Sequence, residues 1–458
     1  VVASSLHESR VVLVCDDAPA PAQVLDVDGV ELPAGVGEDV RGAKVVVFGG
    51  GIVSVTSAYF LSRQGYEVTL IEKNGDVGLE TSFANGGIVT PSMSDPWASP
   101  EIPRFILKWM GKEDSPFLLR PAALPGLFSW GIKFLRQCNQ TAWAENAAVI
   151  YRLCSYSKET LNQLVADTGI EYDGSRLGTL HLFRDQLSIE VTKRVAETLG
   201  AMGLRYELLD EAGCIELEPS LRSQKGLIAG GIHYPNDEAG DARLFSQRLA
   251  QYCSNNGVTV RYGESIIRIE TLNGAVSAVV TDTETIAADT CVVAMGNESN
   301  SVLRPLGIRL PIYPVKGYSL TFPVGQWNGA PMIPMADTGR HIGITRLGDR
   351  IRVAGTAEFA GNDRSLNPKR IGNLRRFFLD VFPDYPDPSA GEGWTGFRPM
   401  TPDGIPYLGP TPVQGLYLNT GHGHLGWTMS CGSGQALAQL ISGATGDLDL
   451  TGMTLASR

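Results

Sequence analysis

In "WTGFRPMTPDGIPYLGP" (Trp394–Pro410) an arginine, Arg398, stands between Phe397 and Pro399. A proline restricts the backbone of the residue before it, so this guanidinium is carried on stiff chain. A planar cation held in that way suits bidentate binding of a carboxylate, although a structural ion pair would look the same in sequence. A second chemistry is written in "VVVFGGGIVSVTSAYFLSRQGYEVTLIEK" (Val45–Lys73). Gly49 and Gly51 fill the first two places of Gly-x-Gly-x-x-Gly, the turn and the point where backbone approaches a pyrophosphate, and Ile52 and Val53 open the following helix. Glu72 closes the next apolar run, where an acid accepts ribose hydroxyls and repels a 2′-phosphate, which disfavours NADP. The third glycine place holds Ser54. It reads as a packing variation, accommodated by a slight shift of the helix or by a hydroxyl bond back along it. This stretch alone leaves NAD and FAD open.

Two further loops narrow the choice. In "GLETSFANGG" (Gly78–Gly87), Thr81, Ser82 and Asn85 can donate to phosphate or ribityl oxygens. Gly86 and Gly87 let backbone run close to a flat ring, with Ile88 following. A dinucleotide carrying only nicotinamide has no general need of such a loop. In "LNTGHGHLGWTMSCGSGQALAQLISG" (Leu418–Gly443) a strand leads into Gly421, Gly423 and Gly426, and a helix starts near Thr428. The positive end of that helix would favour negative charge on a reduced flavin. His422 and His424 read as loop residues beside cofactor or substrate. No acid or thiol lies near them in sequence to complete a metal site. Together the loops favour FAD.

These loops need rigid elements beneath them. "KVVVF" is a continuous apolar run of the kind buried in a parallel sheet, followed by a helix and the strand "YEVTLIE". Residues 96–150 read as helices joined by Pro-rich turns, and 151–213 as amphipathic helices around a short "GTLHLF" strand. Asp241 caps a helix that Gly257 ends. Residues 258–296 alternate as strands, 310–360 read as an antiparallel sheet, and a last helix covers about 428–442. Residues 1–43 read as an appendage: a strand in "RVVLVCDD", a Pro/Ala linker, and a hairpin around Asp28-Gly29.

The 458 residues exceed one simple domain. A net charge of −11 argues against a nucleic-acid partner. Seven scattered cysteines, without C-x-x-C, indicate buried thiols in a reducing compartment. No run of apolar residues is long enough to span a membrane. The start "VVASSLHESR" shows no charged-then-apolar leader pattern, and a removed upstream segment stays open. Ile102–Cys138 mixes large apolar residues with Lys and Arg, which suits either inter-domain packing or a membrane interface.

Taken together, "FGGGIVS", "LETSFANGG", "PNDEAGD", "PVKGYSLT", "ITRLGDRIRVAGTAE", "WTGFRPMTPDGIP" and "NTGHGHLGWTMSCGSG" resemble the small-subunit family of bacterial D-amino acid dehydrogenases, within the D-amino acid oxidase/glycine oxidase superfamily. The resemblance runs from Lys44 onward. It implies an α/β fold, with a Rossmann-like FAD-binding domain assembled from 44–95, 236–300 and 395–458. A substrate domain on an antiparallel sheet would take 96–235 and 301–394. It implies FAD contacts from Gly49, Gly51, Ile52, Val53, Glu72, Lys73, Thr81, Ser82, Asn85, Gly86, Gly87 and Ile88. Ile266 would pass the adenine and Gly296 the pyrophosphate. Gly421, His422, Gly423, Leu425, Gly426 and Thr428 would frame the isoalloxazine. Arg398 matches the arginine that grips substrate carboxylate, and Lys316, Tyr318, Arg346 and His424 are further candidates for the active-site lining. His424 departs from the family pattern, which shifts the expected substrate preference.

The implied reaction oxidises an amino acid, of D configuration by the resemblance alone, to an imino acid that hydrolyses to a 2-oxo acid and ammonia. Hydride would pass from Cα to flavin N5 of a non-covalently bound FAD. Implied partners are the amino acid and a quinone or respiratory-chain acceptor, in a cytoplasmic protein peripheral to the inner membrane. Alternatives on the same fold are a glycine/sarcosine-type oxidase, a hydroxyproline or other cyclic imino acid dehydrogenase, and a non-enzymatic FAD-binding subunit.

Overall fold

A computed structural model describes residues 42–104, 112–113 and 115–458. The strand, linker and hairpin expected before residue 42 lie outside the described residues, as does Cys15. In strand β1 (Lys44–Phe48) every residue after Lys44 is buried, because both faces of its sheet are covered. Val45 and Val47 face one apolar cluster, Val46 and Phe48 the other. Helix α1 (Ile52–Arg63) and strand β2 (Glu67–Glu72) follow. The sheet has six strands in the order Tyr407–Pro410, Leu416–Thr420, Thr290–Val293, β1, β2, Thr259–Tyr262. All neighbours are parallel except the first pair.

One face of this sheet carries α1 together with the helices Gln140–Thr168, Ala242–Asn255 and Gly426–Ser442. On the other lies a three-stranded antiparallel sheet, Ile266–Leu272, Ala275–Thr281 and Thr285–Ala287. Each fully buried Val or Leu in these layers contributes roughly 1.5–3 kcal/mol. Gly432 and Gly434 set the helix spacing. A Cβ at Gly432 would lie 2.7 Å from Ser157, and one at Gly434 3.0 Å from the backbone of Thr56.

The second sheet has nine strands. Its order runs Glu392–Met400, Tyr313–Pro323, Arg350–Phe359, Ile342–Leu347, Met335–Asp337, Thr179–Phe183, Gly230–Tyr234, Glu207–Leu209. Phe117–Leu119 pairs beside Arg350–Phe359. The amphipathic helix Pro368–Val381 covers one face, where Phe322 stacks on Phe378 at 4.2 Å. The antiparallel sheet expected across 310–360 is part of this unit.

Two features differ from the sequence reading. The boundary expected at 395 falls inside Glu392–Met400, which pairs along its whole length with Tyr313–Pro323, so Arg398 belongs to the antiparallel sheet. The helix Gln140–Thr168 runs unbroken from its Asn139 cap to Gly169 in left-handed backbone. Its apolar stripe, Ile150, Leu153, Leu161 and Leu164, packs with α1 and the parallel sheet rather than with the antiparallel one. That stripe has the helical spacing that buries one face.

Ser54 is fully buried in the first turn of α1. Its hydroxyl does not bond back along the helix. It donates to the carbonyls of Ala294 at 3.0 Å and Phe48 at 3.4 Å, tying α1 to the ends of two adjacent strands. In the first turn the strand ends offer carbonyls that the helix lacks. Ser54→Ala therefore lowers stability by about 1 kcal/mol, read as an earlier midpoint in urea, with FAD content per chain unchanged. An unshifted midpoint would show that the two bonds carry no net stability.

Candidate active site

Between β1 and α1 the chain turns at Gly49, whose φ of +96° suits glycine. Beside it Gly50 packs on Glu72, and a Cβ there would lie 2.7 Å from the Glu72 Cγ and Oε2. Glu72 is buried at the end of β2. Its Oε2 accepts the Gly50 N–H, and Oε1 accepts the backbone N–H of Asn74 at 2.8 Å as well as its side-chain amide. Burial raises the Glu72 pKa, opposed by those hydrogen bonds. The α1 cap, Gly51, has no side-chain oxygen, and the Ile52 N–H donates instead to Ser82 Oγ at 3.2 Å.

The Gly78–Gly87 loop is fastened to the antiparallel sheet. Thr81 Oγ1 donates to the Phe397 carbonyl at 2.6 Å, one residue before Arg398. The Asn85 carbonyl accepts from Arg352 at 3.0 Å, and its Oδ1 accepts the Gly87 N–H at 2.9 Å. Lys73 pairs with Glu80 at 3.1 Å and with Glu298 at 2.5 Å, while Arg364 reaches Glu80 at 2.8 Å. This network bridges β2, the loop and the chain after Phe359.

These elements enclose one cavity of about 1210 Å³. That exceeds the roughly 300–1,000 Å³ usual for drug-sized ligands, so the space suits a dinucleotide with a substrate beside it. Of the residues singled out in sequence, Gly49, Gly51, Ile52, Val53, Glu72, Lys73, Thr81, Ser82, Asn85, Gly86 and Ile88 line it. Ile266, Gly296, Gly421, His422, Gly423, Leu425, Gly426 and Thr428 line it too, with Tyr318, Arg398 and His424.

Three do not. Gly87 instead approaches Leu347 and the Gly240 carbonyl, where a Cβ would lie at 3.1 and 3.2 Å. Lys316 is buried and pairs with Asp363 at 3.1 Å, its ammonium 5.5 Å from the Tyr318 ring centre. Arg346 donates to the Gly348 carbonyl at 3.1 Å and lies against Met332. Tyr318 reaches the cavity, but its hydroxyl donates to Glu358, which also pairs with Arg120 at 2.6 Å.

Arg398 projects from Glu392–Met400 into the cavity. Its Nη1 donates to the Thr356 carbonyl at 3.0 Å, and its Cζ lies 5.8 Å from the Trp97 ring centre. No Asp or Glu among the described residues pairs with it. Burial, with Arg370 nearby, pulls its pKa down to about 10, so it remains a cation at neutral pH. His424 stacks on the same tryptophan, 5.1 Å between ring centres. Burial and then the Arg398 charge push His424 down to about 3, so its ring is neutral.

Sequence reasoning missed three supports of Arg398. Trp97 sat in a stretch read only as helices and turns. Gly317 lies under the guanidinium, where a Cβ would meet Nη1 at 2.5 Å. Thr356 holds a φ of +60°, an outlier for a β-branched residue, and that backbone aims its carbonyl at Arg398. No local sequence signal announces such a conformation.

The family described as DAO, FAD dependent oxidoreductase, matches residues 44–440. The chain belongs to this family. A D-amino acid dehydrogenase of Methylobacterium nodulans is 46% identical over 413 residues, 89% of this chain and 98% of that protein. Another from a Methylobacterium species is 47% identical over 401 residues, 87% of this chain and 95% of that one. Among solved structures, glycine oxidase from Bacillus cereus shares the fold with a TM-score of 0.68 at 22% identity, covering 88% of this chain and 95% of that one.

The cavity suits FAD on its own chemistry. Asn297 Oδ1, Asn419 Oδ1 and Trp427 Nε1 are buried in its wall without a hydrogen-bond partner in the protein. Such groups cost about 1–3 kcal/mol each unless a ligand or water satisfies them. The N-termini of α1 and of Gly426–Ser442 both open on the cavity without side-chain caps, and so favour bound negative charge. Gly50→Ala displaces the Glu72 carboxylate and should weaken FAD binding about tenfold or more, equivalent to ~1.4 kcal/mol. Flavin fluorescence titration of the stripped protein measures this; an unchanged Kd would remove Glu72 from the binding site.

Proposed function

We propose that the protein oxidises amino acids, D-amino acids foremost, to imino acids that hydrolyse to 2-oxo acids and ammonia. The observation that carries this reading is Arg398, a guanidinium that faces the cavity and is paired with no Asp or Glu among the described residues. A desolvated cation of this kind gains most from a ligand carboxylate. The D preference is supported by the names of the relatives at 46–47% identity.

In this reading Gly49–Val53, Glu72, Ser82 and Gly421–Gly426 would hold FAD, which when bound would supply a two-electron acceptor for hydride. Gly296 would lie near the pyrophosphate and Ile266 near the adenine. Arg398 fixes the substrate carboxylate, and the stiff strand beneath it fixes the distance, so orientation supplies much of the rate. The neutral His424 places no second cation beside the substrate amine. Replacing Arg398 with Ala should lower kcat/KM for D-alanine by about 10²-fold or more, the loss of roughly 3 kcal/mol of charged hydrogen bonding. FAD content should stay intact. Near-normal kinetics would sink the assignment. Flavin bleaching with glycine, sarcosine or cyclic imino acids alone would shift the substrate class.

We further propose that electrons leave to a quinone or another respiratory-chain acceptor at a membrane surface. None of the described helices is long and apolar enough to cross a membrane. The helix Leu124–Gln137 buries Trp130 and Phe134 and leaves Leu124, Phe128, Ile132 and Leu135 exposed, Phe128 at 71%. Lys133 and Arg136 are exposed on the same helix. An apolar stripe with adjacent cations suits the interface of an anionic bilayer. Phe128→Asp combined with Leu135→Glu should reduce co-sedimentation with anionic vesicles severalfold and leave amino acid oxidation with a soluble dye unchanged. Equal sedimentation of both proteins would refute this surface, and peroxide formation matching turnover would refute the acceptor.

A further inference from the structure

We infer that the part of the cavity lined by Asp95, His181 and Tyr234 is a subsite for a cationic side-chain head, an ammonium or guanidinium, on the substrate. The inference rests on the amino acid reading of the Arg398 site and names the substrate class it favours.

His181 belongs to the strand Thr179–Phe183 and is 5% exposed, yet lines the cavity. Neither of its ring nitrogens has a hydrogen-bond partner. Burial pushes it down to about 4, so the ring is neutral, with one nitrogen donating and the other accepting. Its ring meets Tyr234 edge-on, 4.8 Å between centres. The Tyr234 hydroxyl in turn lies within the field of Asp95 and Asp237, which with burial raises its pKa.

The two acids differ in what they already hold. Asp237 is fully buried and accepts from Ser92 Oγ at 2.5 Å, the Ser92 N–H at 3.3 Å and Thr179 Oγ1 at 2.6 Å. It fastens the chain after β2 to the antiparallel sheet. Asp95 also lines the cavity, but no Lys or Arg among the described residues pairs with it. Asp337, another acid on the wall, is taken by Arg184 at 3.4 Å and by the Arg340 N–H at 3.1 Å. Arg194 is the cation nearest in kind, and it lines the cavity from an exposed position on the helix Gln186–Gly200.

One cavity thus presents an unpaired guanidinium and an unpaired carboxylate. Trp97, two residues after Asp95 in the chain, has the Arg398 Cζ 5.8 Å from its ring centre. A ligand with a carboxylate at one end and a cation at the other satisfies both. The neutral His181 can accept a hydrogen bond from the same ammonium or guanidinium without opposing its charge.

The test compares D-lysine with D-norleucine, which lacks only the terminal ammonium. Asp95→Asn should lower kcat/KM for D-lysine about tenfold or more, with D-norleucine within about twofold. Parallel loss on both substrates, or no change on either, overturns the subsite. If that variant fails to fold, His181→Phe serves the same comparison, with a smaller selective loss expected. A readout without turnover is calorimetric titration of the FAD-loaded protein with 6-aminohexanoate and with hexanoate. The subsite predicts tighter binding of 6-aminohexanoate, lost in Asp95→Asn; equal binding of the two acids overturns it. Should neither amino acid be oxidised, the oxidation reading fails, and the titration still decides the subsite.

Discussion

The charge of Arg398, half-buried and without a carboxylate partner among the described residues, is the constraint around which the antiparallel half is arranged. An isolated buried cation costs several kcal/mol, and a protein carboxylate would relieve it. Such a carboxylate would also compete with any substrate carboxylate for the same bidentate donors. The chain stabilises the cation by weaker means. The Thr356 carbonyl accepts one N–H, and the face of Trp97 lies near the cation. Gly317 removes the side chain that would displace it. The pairing of Glu392–Met400 with Tyr313–Pro323 fixes the backbone from which all this is measured. Thr356 holds a costly backbone conformation so that its carbonyl faces the guanidinium.

That arrangement has no value unless the cofactor is fixed in the same frame. The Thr81 bond to the Phe397 carbonyl joins the cofactor loop to the residue next to Arg398. Lys73, Glu80, Glu298 and Arg364 tie the end of β2 to the same neighbourhood. Surface ion pairs of this sort contribute little stability singly. Their effect here is on registry between the two sheets, because each member comes from a different segment of chain. Glu72 is oriented by Gly50 and Asn74; Oε1 accepts two hydrogen bonds from Asn74, and Oε2, with one from Gly50, keeps a lone pair for a ligand hydroxyl.

The dinucleotide half was legible because its signals are local. A strand of apolar residues, two glycines and an acid at the next strand end are set by short-range geometry, and they name the family with the later loops. The missed features are set by distant chain. Ser54 bonds to Ala294, which no inspection of the fingerprint could supply. Lys316 is held by Asp363 and Arg346 by the Gly348 carbonyl, so being near a motif does not decide whether a side chain reaches the cavity. The boundary drawn at 395 failed for a similar reason, since Glu392–Met400 is held by its partner strand rather than by any break in composition.

The C-terminal glycines show why a motif can be read incompletely. Gly421 and Gly423 adopt positive φ at the cavity, as the loop reading requires. Gly432 and Gly434 lie farther along the helix and touch Ser157 and Thr56 instead. By admitting those neighbours they let Gly426–Ser442 pack closely on α1, where Thr56 Oγ1 donates to the Ser430 carbonyl at 2.9 Å. Close packing brings two uncapped helix N-termini to the same cavity wall. Each carries the equivalent of about half a positive charge. A single helix end can hold a pyrophosphate. Two at one cavity can serve a ligand that carries phosphate charge at one point and develops negative charge at another when reduced. The helix-packing glycines thus shape the electrostatics of the cavity without lining it.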